Sequence, residues 1–172
     1  MSLNMVIKGL LKAGDHVLVS SMEHNAVMRP LTQLLDQGIT FDIIPCDKTG
    51  SIQLECIEAL IRPNTVAMII NHASNVCGTI QPIESIGVIC KAHNLHFIVD
   101  AAQTAGVIPI DGKACHIDAL CFTGHKGLLG PQGIGGLILT KEMAQILTPL
   151  ISGGTGSFSH LETMPTHMPD AF

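Results

Sequence analysis

The run Thr65-Val-Ala-Met-Ile-Ile-Asn71 carries neither a charge nor an apolar/polar alternation, which is the pattern of a strand buried on both of its faces. Such a strand needs helices above and below it. The chain supplies them at regular intervals. Asp15–Ser21, Ile39–Pro45, Phe97–Asp100 and Asp118–Thr123 are further short apolar runs, and helical spacing fills the gaps over 25–37, Ser51–Ile61 and Pro82–Asn94. Leu3, Val6, Ile7, Leu10 and Leu11 form one face of a helix over Met1–Lys12, and a short helix is expected beyond Lys141. This alternation with short connections predicts an α/β fold: a three-layer arrangement with a mostly parallel sheet flanked by helices and joined by right-handed crossovers.

A chain of 172 residues with 47% hydrophobic content is long enough to bury one core. No apolar run reaches about 18 residues without a charge, Gly or Pro, so no membrane span is expected. No basic-then-apolar leader opens the chain either, and the expected compartment is the cytoplasm. The formal net charge is −5 with nine Lys plus Arg, and no basic stripe is available to neutralise the phosphates of a nucleic acid. Cys46, Cys56, Cys77, Cys90, Cys115 and Cys121 form no C-x-x-C pair. They are expected as buried reduced thiols, with no disulfide frame and no metal site. Trp and Tyr are absent, so a flat ligand would have to stack on Phe, His or an aliphatic surface.

Charged residues stand where strands give way to loops. Phe97-Ile-Val-Asp100 ends in a carboxylate, and Leu120-Cys-Phe-Thr-Gly-His-Lys126 ends in an amine. In an open α/β sheet ligands bind outside the carboxyl ends of the strands, so Asp100 and Lys126 can face one small molecule. Pyridoxal 5′-phosphate (PLP) asks for that pair: a lysine for its Schiff base and an anion at its pyridine nitrogen. Gln103 follows Asp100 at a spacing that, in a helical turn, brings both side chains to one side, within reach of a ring oxygen. Thr123 and His125 beside the lysine suit a phosphate. His24, at a strand-to-helix turn, is either a ring neighbour or an exposed or capping residue. Asn75 is either a contact to the cofactor oxygen or substrate, or a turn-former bonding its own backbone. The stretch Gly127–Gly136 is not a P-loop, because its lysine precedes the glycines, and no G-x-G-x-x-G passes through it. It is either a flexible hairpin-like loop into a strand Gly136–Thr140 or, as expected here, backbone that approaches the cofactor and a neighbouring subunit, and a NAD-binding module is disfavoured.

Together Asp100-Ala-Ala-Gln103, Thr123-Gly-His-Lys126 and the downstream Gly-Pro-Gln-Gly-Ile-Gly resemble the class V aminotransferases. Met22-Glu-His-Asn25 and Ser74-Asn-Val76 add to the likeness, which is nearest to the cysteine desulfurase-like proteins and selenocysteine lyases. The resemblance implies a PLP-dependent transferase large domain, with Lys126 as Schiff-base lysine and Asp100 as partner of the ring nitrogen. Gln103 would contact the ring oxygen, Thr123 and His125 the phosphate, and Asn75 the ring oxygen and substrate. His24 would stack on the ring and move protons. The implied reaction is removal of sulfur from L-cysteine to give L-alanine, or a class V aminotransfer, on a small amino-acid substrate. Selenocysteine lyase or another PLP lyase chemistry is the alternative. Implied partners are a second copy in a homodimer and a sulfur-acceptor protein.

The family's phosphate-binding Thr-rich segment, its carboxylate-binding arginine and its nucleophilic cysteine find no match in this chain. Residues 1–157 are therefore expected as an N-terminally truncated PLP-binding large domain, and 158–172 as a loop leading towards a C-terminal domain outside the chain. A second expectation is a cofactor-domain fragment that is inactive as it stands. Arg29 and Arg62 are the only arginines, and neither stands at the family's position. Cys77 is expected as a small buried thiol rather than a substitute nucleophile.

Overall fold

The computed structural model describes residues 1–154, 160 and 162–165. The loop expected over 158–172 lies, apart from 160 and 162–165, outside the described residues. In chain order the main elements are α1 (Ser2–Leu10), β1 (His16–Ser20), α2 (Asn25–Leu34), β2 (Thr40–Ile44) and α3 (Ile57–Leu60). Then come β3 (Thr65–Asn71), α4 (Ile83–Ala92), β4 (His96–Asp100), β5 (Ala119–Thr123), β6 (Gly135–Leu139) and α5 (Lys141–Ile146). The strands form one sheet of order β2-β1-β3-β4-β5-β6. Every pair is parallel except β5–β6, which is antiparallel. The glycine-rich stretch is thus the connection of a hairpin.

Period-two alternation sorts the strand residues onto two helical layers. Val17, Val19, Ala67, Ile69, Ile98, Ala119 and Cys121 pack against α1, α2 and Met143 of α5. Leu18, Met68, Ile70, Phe97 and Val99 pack on the other face against Ile57, Ile83, Ile86, Cys115 and Ile117. Both faces of β3 are therefore apolar, which explains its unbroken hydrophobic run. No helix among the described residues is long and apolar enough to cross a membrane.

One element departs from expectation. The helix anticipated over Ser51–Ile61 is reduced to a 3-10 turn at Leu54–Cys56 followed by the short α3. Gln81, buried, accepts from Ile52 N–H at 2.9 Å and donates to the Gly50 carbonyl at 2.7 Å. Those bonds hold Ser51 and Ile52 out of a helix, and Ile52 bridges to Cys46 instead of entering a helical turn. A contact so distant in sequence overrides local propensity.

The sheet order fixes where a ligand can bind. From β1 the chain moves outward to β2, then returns past β1 to build β3, β4 and β5 on the other side. The strand order reverses between β1 and β3, and the carboxyl edge there is the natural crevice of an open α/β sheet. The loops after β1, β3, β4 and β5 all open on this edge.

Candidate cofactor site

Those four loops deliver every expected site residue to one cavity of about 630 Å³, a volume ordinary for a small-molecule pocket. His24 comes from the loop after β1, Asn75 from that after β3, Asp100 and Gln103 from the end of β4, and Thr123, His125 and Lys126 from the end of β5. The N-terminal turn of α1 and the backbone at Gly133–Gly136 complete the lining.

Asp100 is buried, and its Oδ1 accepts from Ala102 N–H at 2.9 Å. Burial pushes its carboxyl above the ordinary carboxylate range, while the Ala102 bond and then the charges of His24 and Lys126 pull it back. An acid in this state gains from any cation placed against it. Gln103 lies in the hydrogen-bonded turn that follows β4, where Thr104 and Ala105 N–H both reach the Ala101 carbonyl.

The capping reading of His24 is observed, and the same residue faces the cavity. It is the N-cap of α2, its Nδ1 accepting from Ala26 N–H at 3.0 Å, and it also lines the cavity. The cap uses Nδ1 as acceptor, so in the neutral ring the proton sits on Nε2. At Asn75 the turn is made by its neighbour: Ser74 Oγ accepts from Val76 N–H at 3.2 Å and Cys77 N–H at 3.4 Å. The Asn75 amide makes no hydrogen bond among the described residues and is available to a ligand. Thr123 Oγ1 and His125 Nδ1 lie 2.7 Å apart. The first turn of α1 reaches the same cavity, and Met1 gives it no side-chain cap. A helix start next to a hydroxyl and an imidazole favours an anion.

Backbone holds the lysine loop against the aspartate turn. A Cβ on Gly106 (φ +81°) would stand 2.7 Å from the Gly127 carbonyl oxygen, and a Cβ on Gly127 would stand 2.5 Å from the Ala105 oxygen. Two main chains at this distance leave no room for side chains. Gly106→Ala is expected to cost about 1–3 kcal/mol, since positive φ and a backbone clash act together. A lower urea midpoint and weaker modification of Lys126 by an aldehyde reagent would register it.

Two expectations change. Cys77 is exposed, not buried. Hydrogen bonds involving Ser74 and Thr79 bring its thiol down to about 7. It lies in the polar turn that follows β3 rather than under a helix, and the polar letters His72, Ser74 and Asn75 before it were the available signal. Among the other cysteines, Cys90, Cys115 and Cys121 are buried, while Cys46 and Cys56 are half-buried. Neither arginine lines the cavity; Arg62 bonds Asp42 and Arg29 lies exposed on α2.

Sequence reading missed Asn71, Cys121 and the turn Met1–Met5 as lining residues. Asn71 ends the longest apolar run, so a polar residue closing a buried strand was the available signal. The other two follow only from the sheet order. The donor set fits PLP: a buried acid for the ring nitrogen, an amine across the cavity, and hydroxyl, imidazole and helix start for the phosphate.

Known proteins share this arrangement of chain. A cysteine desulfurase IscS of Glaesserella parasuis is 38% identical over 155 residues, covering 88% of this chain and 38% of that protein. An apo cysteine desulfurase structure from Thermococcus onnurineus superposes with a TM-score of 0.82 at 36% identity, over 90% of this chain and 40% of that one. A C-DES mutant structure, with glycine covalently linked to its PLP cofactor, superposes with a TM-score of 0.81 at 27% identity, over 88% of this chain and 42% of that one. The chain thus spans well under half the length of these relatives. The model of the aminotransferase class-V family matches residues 1–168, nearly the whole of a sheet whose carboxyl edge gathers these residues, and the chain belongs to that family.

Proposed function

We propose that residues 1–157 are the cofactor-holding large domain of a PLP-dependent enzyme that removes sulfur from L-cysteine and leaves L-alanine. The observation that carries this is the meeting of buried Asp100 and Lys126 in one cavity. Similarity to proteins named cysteine desulfurases supports the choice of substrate. PLP, when bound, supplies an electron sink for the negative charge developing at the substrate Cα.

The chain's own residues do the rest. Asp100 holds a proton on the ring nitrogen, and its burial makes that ion pair strong. Lys126 Nζ would anchor the cofactor and, as a free amine, would serve as the base for the substrate Cα proton. His24, its Nδ1 engaged in the α2 cap, offers Nε2 as a second proton carrier. Asn75 and Gln103 orient the ring through its oxygen, and Thr123, His125 and the start of α1 hold the phosphate. In the complete enzyme a second copy forms a homodimer, a sulfur-acceptor protein takes the sulfur, and the setting is the cytoplasm.

One observation favours cofactor binding without turnover for this stretch by itself: neither arginine reaches the cavity to take a substrate carboxylate. The test is PLP titration followed by borohydride reduction and peptide mapping, alongside assays of alanine formation from cysteine. Label on Lys126 with no alanine is the expected result for the chain alone. Absence of any lysine-bound chromophore in a folded protein would refute the proposal.

A further inference from the structure

Beneath the cavity, at the crevice between β1 and β3, sits a carboxyl group that the proposed chemistry does not use. Glu23 Oε1 accepts from the Ser20 hydroxyl at 2.6 Å and from Asn71 N–H at 2.9 Å. Asn71 Nδ2 donates to the Met22 carbonyl at 2.8 Å, and Met22 N–H to Ser20 Oγ at 3.2 Å. These bonds close a ring that ties the end of β1 to the end of β3. Glu23 keeps some exposure as a residue, yet its Oε2 is sealed from solvent and has no hydrogen-bond partner. A bare buried oxygen is far costlier on a carboxylate than on a neutral acid.

Asp100 makes the same demand. Asn71 pairs with Asp100 across β3 and β4, so the two acids lie on either side of one residue. Burial, with Asp100's charge adding to it, pushes the Glu23 carboxyl up to about 8 against the pull of its hydrogen bonds. Other titratable groups nearby are His24 on the same turn, Lys126 beyond β5, and His72 after β3. His72 bonds Thr104 and is pushed towards its neutral form by burial. The charge that acts on Glu23 is that of Asp100 rather than of any of these three.

We propose that Glu23 is a positioning residue: a neutral acid wedged between β1 and β3 that fixes the His24 turn and leaves Asp100 the single anion under the ligand. The inference rests on the reading that a pyridoxal ring lies over Asp100. It predicts that alkali, by ionising Glu23, loosens the His24 turn and sets a second anion beside the first.

The test compares the wild-type chain with Glu23→Gln, which keeps the shape and the acceptor oxygen but cannot ionise. PLP affinity, from the lysine-bound chromophore, and the urea midpoint without PLP are measured at about pH 6.5 and about pH 9.5, on either side of the expected titration. At the lower pH the two proteins should agree within about twofold. At the higher pH wild type should bind at least about fivefold more weakly than the variant, and its urea midpoint should fall where the variant's does not. The titration of the lysine itself is common to both. A tenfold loss in the variant at the lower pH, or parallel pH profiles, would overturn the proposal. A urea difference without an affinity difference would make Glu23 a purely structural acid and also overturn it. If wild type captures no PLP at any pH, the pyridoxal reading fails, and the urea comparison decides the protonation of Glu23 alone.

Discussion

Lys126→Ala should leave a folded chain that no borohydride treatment can label. Lys126 is half-buried at the end of β5 and forms no ion pair among the described residues, so truncating it removes no structural bond. The loop around it is set by main-chain contacts at Gly106 and Gly127 rather than by the amine. Two effects add in the complete enzyme. The covalent anchor is lost, and the proton transfer assigned to the freed amine is itself worth about 10²–10⁴-fold in rate. Absorbance of the lysine-bound chromophore, mass of the reduced protein and the urea midpoint are the measurements. A label of unchanged stoichiometry on another lysine would reject the assignment.

Asp100→Asn should push binding and stability in opposite directions. Asparagine keeps an oxygen for Ala102 N–H, so the turn after β4 survives. The charge is what disappears. A hydrogen bond to a charged partner contributes about 1.5–3 kcal/mol, so PLP affinity should fall by about 10- to 100-fold. In the cofactor-free chain the sign reverses. The folded-state carboxyl is raised above its unfolded value, chiefly by burial, so the folded state holds its proton to higher pH than the unfolded one. Stability then declines as pH rises from the ordinary carboxylate range through the raised value. The asparagine variant lacks that decline and should have the higher urea midpoint at neutral pH. An active site commonly trades stability for function in this way. Equal or lower stability of the variant at neutral pH, with a normal fold, would contradict burial as the origin of the Asp100 shift.

The parallel sheet could be read from the chain because its strands are written in the simplest code available: Thr65–Asn71 and Phe97–Asp100 are apolar throughout and end on one polar residue. The site followed, since strand ends in such a sheet face one crevice. Long-range pins were not legible. Gln81 reaches back to Gly50 and Ile52 and cancels a helix whose local signals were sound. Cys77 was weighed by the usual burial of free cysteines, but Ser74 accepts from the Val76 and Cys77 N–H groups and holds it in an exposed turn. Glu23 looked like one letter of a motif, and only the adjacency of β1, β3 and β4 gives it two bonded neighbours and an acidic one. Periodicity records which face a residue takes, and says little about what crosses to meet it.

Because β6 runs against β5, the chain between Thr123 and Gly135 leaves and re-enters the sheet at the same edge. Residues gained or lost near Leu128 and Leu129, both exposed, need not shift any crossover helix or strand register. Evolution can therefore vary the length of this one short excursion without reordering the strands behind it.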